Sequence, residues 1–418
     1  MRKHRSQQKS GACFDSEDNN SMNSSSADMS ELTLASETEA VWQSQDTSLD
    51  LYLDALYDKR GSTREKALTI INEAFTKNLQ HQFMEKNFVA LLHHYLHSIK
   101  RGSAREICLA SRAIGLLALT TDCEDKAHEL LEESLFPLSE ALKSGSEISK
   151  ISQIIESLAV ITFIGGKNQE EAEGAMQIIW EFICQKTGSK IVVSKLSPAV
   201  ITTAISAWSF ILTTTNGWVL NSKIWQEAAS HLSSFLVNDD RSVRIAAGEA
   251  LAILFEFGCP KKYSSEAIQQ LVEKILDQVG DLSAEAGGRG SKKKDLGSQR
   301  NFFGDLLEFL KDGYCPETSM KIGGDLLNTS TWSELIQLNF LKRFLGGGFF
   351  KHMKENELLR AIFQFTPTKQ HMSSSEKKLR KSQIATSHKA MSRELNKQRA
   401  FSQLRKSSHF AAGDSEWE

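Results

Sequence analysis

One phrase occurs twice in this chain: Lys59-Arg60-Gly61-Ser62-Thr63-Arg64-Glu65 and, 41 positions on, Lys100-Arg101-Gly102-Ser103-Ala104-Arg105-Glu106. A fixed offset of that size is the signature of stacked helical pairs, each unable to bury its apolar face without the next. In each copy the Gly is placed to end one helix, and the Ser with a Glu three residues on is placed to open the next through a capping box. The phrase therefore marks the same turn twice. Chains of stacked pairs offer long surfaces to other macromolecules, which biases function toward binding and away from a catalytic pocket.

The stretches after each turn carry helical periodicity. Ala67, Leu68, Ile71, Ala74 and Phe75 lie on one side of the first, and Ile107, Ala110, Ile114 and Leu117 on one side of the second, with Ser111, Ala113, Gly115 and Ala118 as small residues that allow close helix approach. Further turns at Lys143-Ser144-Gly145-Ser146-Glu147, Lys186-Thr187-Gly188-Ser189 and Asn238-Asp239-Asp240 extend the pattern. The last opens a run, Val243 to Leu251, that looks like the second helix of an armadillo or HEAT repeat. Only five prolines in 418 residues fit long helices.

The chain divides by composition. Residues 1–49 hold eight acids against four bases with few aliphatics, and are expected to be a disordered acidic Ser-rich arm. Residues 50–280 read as the armadillo-like repeat domain, and 281–300, rich in Gly, Ser and Lys, as a basic flexible linker. Residues 301–367 read as a small helical domain, with Thr331-Trp332-Ser333-Glu334 as another capping box and Gly346 to Gly348 as a turn. Its aromatic residues Trp332, Phe340, Phe344, Phe349, Phe350 and Phe363 suit core packing or a partner groove. Residues 368–418 form a basic tail, helical or disordered. The fold class is thus all-α, an armadillo/HEAT-like α-α superhelix followed by a small helical C-terminal domain and a basic helical tail.

Three stretches resemble a known family. Gln299-Arg300-Asn301-Phe302-Phe303-Gly304-Asp305-Leu306-Leu307 looks like the opening of the carboxy-terminal domain of interferon-related developmental regulator proteins. Leu345 to Phe363 is similar to that family's Leu-Gly-x-Gly, His, Asn-Glu-x-Leu-Arg, Phe pattern, and Leu53 to Glu65 resembles its opening helical pair. The resemblance covers roughly residues 50–367. It implies an armadillo-type superhelix without enzyme activity, in a family linked to transcriptional co-regulation and, in some members, to ribosome binding and translational silencing.

Charge is segregated. Residues 368–410 hold eleven Lys and Arg against Glu376 and Glu394, in a chain whose total is −2. A cationic helix with a thin apolar line of Ile384, Met391 and Leu395 would gain by lying along a polyanion, because each neutralised phosphate releases counterions. The candidate nucleic-acid contacts are Lys292, Lys293 and Lys294 in the linker and Lys377, Lys378, Arg380, Lys381, Lys389, Arg393, Lys397, Arg399, Arg405 and Lys406 in the tail. Lys377-Lys378-Leu379-Arg380-Lys381 also reads as a nuclear import signal. Two functions stay open: translational regulation through ribosomal or other RNA, and transcriptional co-regulation through protein partners in the superhelix groove. Both place the protein in cytoplasm and nucleus.

Other chemistry lacks a starting point. His93, His94 and His97 include an i, i+4 pair, yet no Glu or Cys supports it and the helix around it is ordinarily amphipathic. Neither Gly-rich stretch ends in the Lys-Ser or Lys-Thr of a phosphate loop, and no nucleophile elbow or His-Glu-x-x-His occurs. No metal, cofactor or small-molecule substrate is expected. The six cysteines are scattered and read as reduced, mostly core thiols. No secretory signal opens the chain, and no window approaches the ~20 apolar residues of a membrane span.

Overall fold

The computed structural model describes residues 49–144, 147–184, 196–214, 222–258, 265–285 and 293–367. A short helix α1 (49–55) precedes α2 (Gly61–Lys77), α3 (His81–Arg101), α4 (Ala104–Thr120), α5 (Glu124–Lys143), α6 (Ile148–Gly165), α7 (Gln169–Cys184), α8 (Pro198–Leu212), α9 (Ser222–Phe235), α10 (Arg241–Phe257), α11 (Glu266–Ala284) and α12 (Lys293–Asp312). The hairpin β1 (Thr318–Ile322) and β2 (Asp325–Thr329) follows, then α13 (Trp332–Leu345), a 3₁₀ turn (Gly346–Gly348), α14 (Phe349–Glu355) and α15 (Glu357–Ile362). Among the described residues the fold is all-α apart from that one hairpin.

Most of the described residues, those within 49–318 together with 329–358, form one compact unit. In it the even-numbered helices α2, α4, α6, α8, α10 and α12 pack successively against one another, and α3, α5, α7, α9 and α11 lie on the other side, each against its even neighbour. The core is the seam between the two rows. Helix α4 is buried along nearly its whole length, and Ile154, Leu158, Ile161, Phe210, Ile211, Leu251 and Leu254 continue the core down the row. By length and composition α6 is apolar enough to cross a membrane, the only such helix among the described residues. Here it packs between α4 and α8. That burial accounts for its composition, which exceeds what the expected absence of any long apolar window allowed.

The repeat extends further than the composition implied. The region expected to be a flexible linker, 281–300, is helical over its first four residues as the end of α11 and over its last eight as the start of α12. Helix α12 crosses the expected boundary at 300/301 and takes its place beside α10 in the even row. Gly248 of α10 permits this, since a Cβ there would lie 2.8 Å from the Phe302 ring and 3.1 Å from the Phe303 ring. Lysine-rich composition hid a helix whose anchoring residues, Gln299, Phe302 and Phe303, lie beyond the lysines.

The described residues of the second unit are 319–328 and 359–367. Its hairpin turns at Gly323-Gly324, and Gly323 has φ +67°, which only glycine adopts without strain. The Gly-Gly pair between Met320-Lys321-Ile322 and Asp325-Leu326-Leu327 is the sequence signal for this element. Two five-residue strands carry little periodicity, so the hairpin stands inside a region whose sequence otherwise reads as helical.

Candidate functional site

The doubled phrase builds a joint between repeats. Arg64 from α2 meets Glu106 from α4 as a two-pronged pair, Nε to Oε1 at 2.7 Å and Nη2 to Oε2 at 2.9 Å, with Glu106 1% exposed. The Arg64 Nη1 donates to the carbonyls of Asp58 and Lys59, closing the turn that precedes its own helix. Burial raises the Glu106 pKa, but hydrogen bonds from Arg64, Ser98 and the Ser103 backbone hold it below the usual carboxylate value. At the second copy Ser103 caps α4 by accepting from the Glu106 N–H, as expected. The first copy departs from expectation. Helix α2 starts at Gly61 with Arg60 as its cap residue, and Ser62 does not cap it. Arg64 supplies the closure of that turn instead.

The same device recurs at the far end of the row. Arg244 Nη1 donates to the carbonyls of Asn238 and Asp239, six and five residues back as at Arg64, and Nη2 donates to Gln299 of α12 at 2.9 Å. Gln299 in turn donates to Glu285 at 2.7 Å. An arginine on each of α2 and α10 thus closes its own turn and reaches the next even helix.

A C-terminal arm, α13 through α14, lies along the even row. Phe340 stacks on Phe210 of α8 with ring centroids 4.1 Å apart, and Phe210 stacks on Phe163 of α6. Phe344 sits over Gly115, and Arg112 both lies over the Phe344 ring and donates to the Phe344 carbonyl at 3.0 Å. Gly348 presses on the Thr76 carbonyl, where a Cβ would lie 1.8 Å away. Trp332, Phe344 and Phe349 are buried, while Phe350 is exposed.

The arm also satisfies the open ends of the even helices. His352 hydrogen-bonds the Phe75 carbonyl at 3.0 Å and the Thr76 carbonyl at 3.2 Å, Asn356 donates to the Leu119 carbonyl at 2.6 Å, and Gln337 donates to Thr213 at 3.0 Å. Lys351 reaches Asn78, just past α2. Glu256 near the end of α10 accepts from the backbone of Trp332 and Ser333, which opens α13. The carbonyls at the C-terminal end of a helix lack internal partners, so these contacts are what a docked segment should supply. Beneath α13, Arg343 faces Glu156 of α6 at 3.4 Å. Burial pushes Glu249 of α10 up to about 7 against the pull of Arg343, and burial raises Glu156 against the pull of Arg343 and Arg112.

A shallow groove of about 290 Å³ remains between α2 and α4, lined by Thr69, Asn72, Thr76, Lys77 and Arg112 among others. Asn72 donates to the Leu109 carbonyl at 2.9 Å. His94 is buried against Tyr57, with ring centroids 3.9 Å apart, and its pKa is lowered to about 4, chiefly by burial and then by His93 and His97. Among the described residues no group of three or more His, Cys, Asp or Glu is arranged to hold a metal. Cys108, Cys123, Cys184 and Cys315 are only half-buried, which corrects the expectation of core thiols; Cys13 and Cys259 lie outside the described residues.

Most of the candidate nucleic-acid residues fall beyond the described part of the chain. Lys292 and the tail residues Lys377, Lys378, Arg380, Lys381, Lys389, Arg393, Lys397, Arg399, Arg405 and Lys406 lie outside the described residues. Lys293 and Lys294 belong to the first turn of α12.

The interferon-related developmental regulator model matches residues 18–311, ending one residue before α12 does. The chain belongs to the interferon-related developmental regulator family. It is 26% identical over 325 residues to interferon-related developmental regulator 2 of Mus musculus, covering 76% of this chain and 72% of that protein. It is 24% identical over 320 residues to interferon-related developmental regulator 1 of Sus scrofa, covering 75% and 70%, and 24% identical over 321 residues to the Homo sapiens regulator 1, again covering 75% and 70%. Among solved structures, a crystal structure of an engineered protein is similar at TM-score 0.43 and 13% identity, covering 64% of this chain and 97% of that one. For the family member in hand, the joint at Arg64 and Glu106 and the docked arm were both beyond sequence reasoning. Their signals were the Asp-x-x-x-x-x-Arg spacing from Asp58 to Arg64 and the glycines at 115 and 348.

Proposed function

We propose that this regulator is a non-enzymatic helical-repeat scaffold that acts on gene expression by binding RNA-containing particles, the ribosome first among them, and so regulates translation. The observation that carries this reading is charge segregation: eleven bases against two acids over residues 368–410 of a chain with net charge −2. A run of that density far exceeds what nuclear import requires, and its affinity for phosphate grows with each counterion released. The arm supports the same division of labour. It packs along the even row through Phe340, Phe344 and His352, which leaves the tail and the uncovered faces for recognition.

Sedimentation of cell extract through a sucrose gradient tests the proposal, comparing the full chain with one ending at Pro367. Full chain with the ribosomal fractions and truncated chain at the top is the expected result. Both chains at the top would reject it. The reading of a nuclear co-regulator that binds proteins through the superhelix, supported by the Lys377-Lys378-Leu379-Arg380-Lys381 cluster, would then lead. Either role places the chain in cytoplasm and nucleus.

A further inference from the structure

The two turns that open α2 and α4 abut. A Cβ on Gly61 would lie 3.6 Å from the Glu106 carboxylate, and a Cβ on Gly102 would lie 2.9 Å from the same group. Arg60 and Arg101, each the neighbour of one of those glycines, therefore flank a single buried carboxylate, as do Lys59 and Lys100 one residue further out. All four are exposed. Among the described residues none of the four forms an ion pair, and Arg105 has only a long contact of 3.8 Å to Glu65 while its side chain stays 76% exposed. Across residues 58–66 and 100–106 there are seven bases to three acids, and one of those acids, Glu106, is spent on Arg64.

Among the described turns that open even helices this charge is not repeated. At the turn before α6, Lys143 is paired with Glu140 at 3.0 Å, and the turn before α10 is Asn238-Asp239-Asp240. The first turn also presents a ring. Tyr57 is 63% exposed two residues before Lys59, and its ring packs against His94 at an interplanar angle of 66°. Unpaired cations in adjacent turns with an immobilised, open aromatic beside them are what a single-stranded nucleic acid uses, the cations along its phosphates and the ring against a base. An acidic protein segment would use the cations and has no need of the ring.

We propose that the paired turns, with Tyr57, Lys59, Arg60, Lys100 and Arg101, form a contact surface for single-stranded RNA on the folded repeat unit itself. The inference deepens the proposed function, sharing its ligand class while resting on different residues from the tail. The Arg64–Glu106 pair ties the two turns together, so their backbones are set side by side before binding and the ordering cost falls on the side chains.

The test is fluorescence anisotropy of a labelled oligouridylate of about 20 nucleotides with the full chain, titrated at several salt concentrations. Three full-length variants are compared: K59A/R60A/K100A/R101A, Y57A, and a tail variant with Lys377, Lys378, Arg380 and Lys381 replaced by Ala. Removing four phosphate contacts should weaken binding at least tenfold at moderate salt and make the log–log salt slope shallower by about 3. Y57A should weaken binding about fivefold or more without changing the slope. Unchanged thermal unfolding of these surface variants confirms that the fold is intact. Wild-type affinity and slope in the turn variants would overturn the inference, and a weakened tail variant in the same series would leave the proposed function standing. No RNA binding by the wild-type chain would overturn both. Loss of binding to phosphatidylserine vesicles, with RNA affinity retained, would reassign the surface to membranes.

Discussion

The Phe344 ring lies where a side chain on Gly115 would be: a Cβ there would stand 2.6 Å from Cζ. The arm can lie this close to α4 only because that position carries no side chain. Gly115→Ala should therefore destabilise the chain by about 1–3 kcal/mol, the usual cost of overpacking a close-packed core. Phe344→Ala should cost about 3–5 kcal/mol through the cavity it leaves. Combining Gly115→Ala with Phe344→Leu should cost less than the sum of the two single changes, because the smaller side chain makes room for the methyl. Chemical denaturation of wild type, Gly115→Ala, Phe344→Leu and the double variant measures this coupling, and strict additivity would show that the ring and the glycine do not share the space.

The Arg64–Glu106 pair makes a prediction about acid. Its net shift places the Glu106 carboxyl below its ordinary 4.5 in the folded state. A depressed carboxylate contributes stability that is fully present above the unfolded value and is lost as pH falls through the folded value. Glu106→Gln should thus be destabilising at pH 7, by up to about 3–5 kcal/mol for a buried pair broken on one side. The difference from wild type should shrink as pH falls below 4.5. Urea unfolding at pH 7, 5 and 3 checks it; a constant difference would mean that the carboxylate charge is not what holds the joint.

The repeat itself was legible in the sequence because its phrase recurs, and Ser103 caps α4 where the spacing placed it. Ser62, four residues into an equivalent phrase, does not cap α2, because Arg64 closes that turn from the side and a side-chain bond 42 residues long has no local signature. Gly115 was readable only as a small residue among others; its partner is 229 positions away. The lysines before α12 look like a linker because helix formation there depends on Gln299, Phe302 and Phe303 packing into the row, not on local periodicity. The residues proposed for RNA in the tail are a matter of composition alone, whereas those of the paired turns needed the contact between Gly61 and Glu106 to show that two distant Lys-Arg pairs are neighbours.

Glu249 should act in the opposite sense to Glu106. Its folded-state pKa is raised to about 7, first by burial, with Arg343 opposing. A carboxyl that prefers its proton when folded costs stability once the unfolded chain has ionised, so the penalty begins above 4.5, grows through pH 7 and levels off beyond it. Glu249→Gln should stabilise the protein at pH 8, on the order of 1–2 kcal/mol for a half-buried group, and should be nearly neutral at pH 4.5. Thermal unfolding across that range measures it. A stabilisation independent of pH would mean that shape, not charge, is responsible.

The last prediction concerns how firmly the arm is held. His352 is fully buried, and its imidazole reaches the Phe75 and Thr76 carbonyls at the end of α2. Burial is the largest influence on it and lowers its pKa, with the two carbonyls pulling the other way and Lys351 and His81 adding to the depression. A histidine depressed in the folded state contributes stability that is complete above its ordinary value of 6.5 and is lost as pH falls below it. Arm docking should loosen on acidification before the rest of the row unfolds. Hydrogen exchange of the amides in α13 and α14 between pH 7 and 5, corrected for intrinsic exchange, should show protection falling more there than in α6 or α8. His352→Gln keeps a donor for one carbonyl and removes the titration. It should lower arm protection at pH 7, by the equivalent of about 1 kcal/mol for one weakened hydrogen bond, and flatten the pH dependence. Arm protection that falls with pH as steeply in His352→Gln as in wild type would assign the loosening to another group.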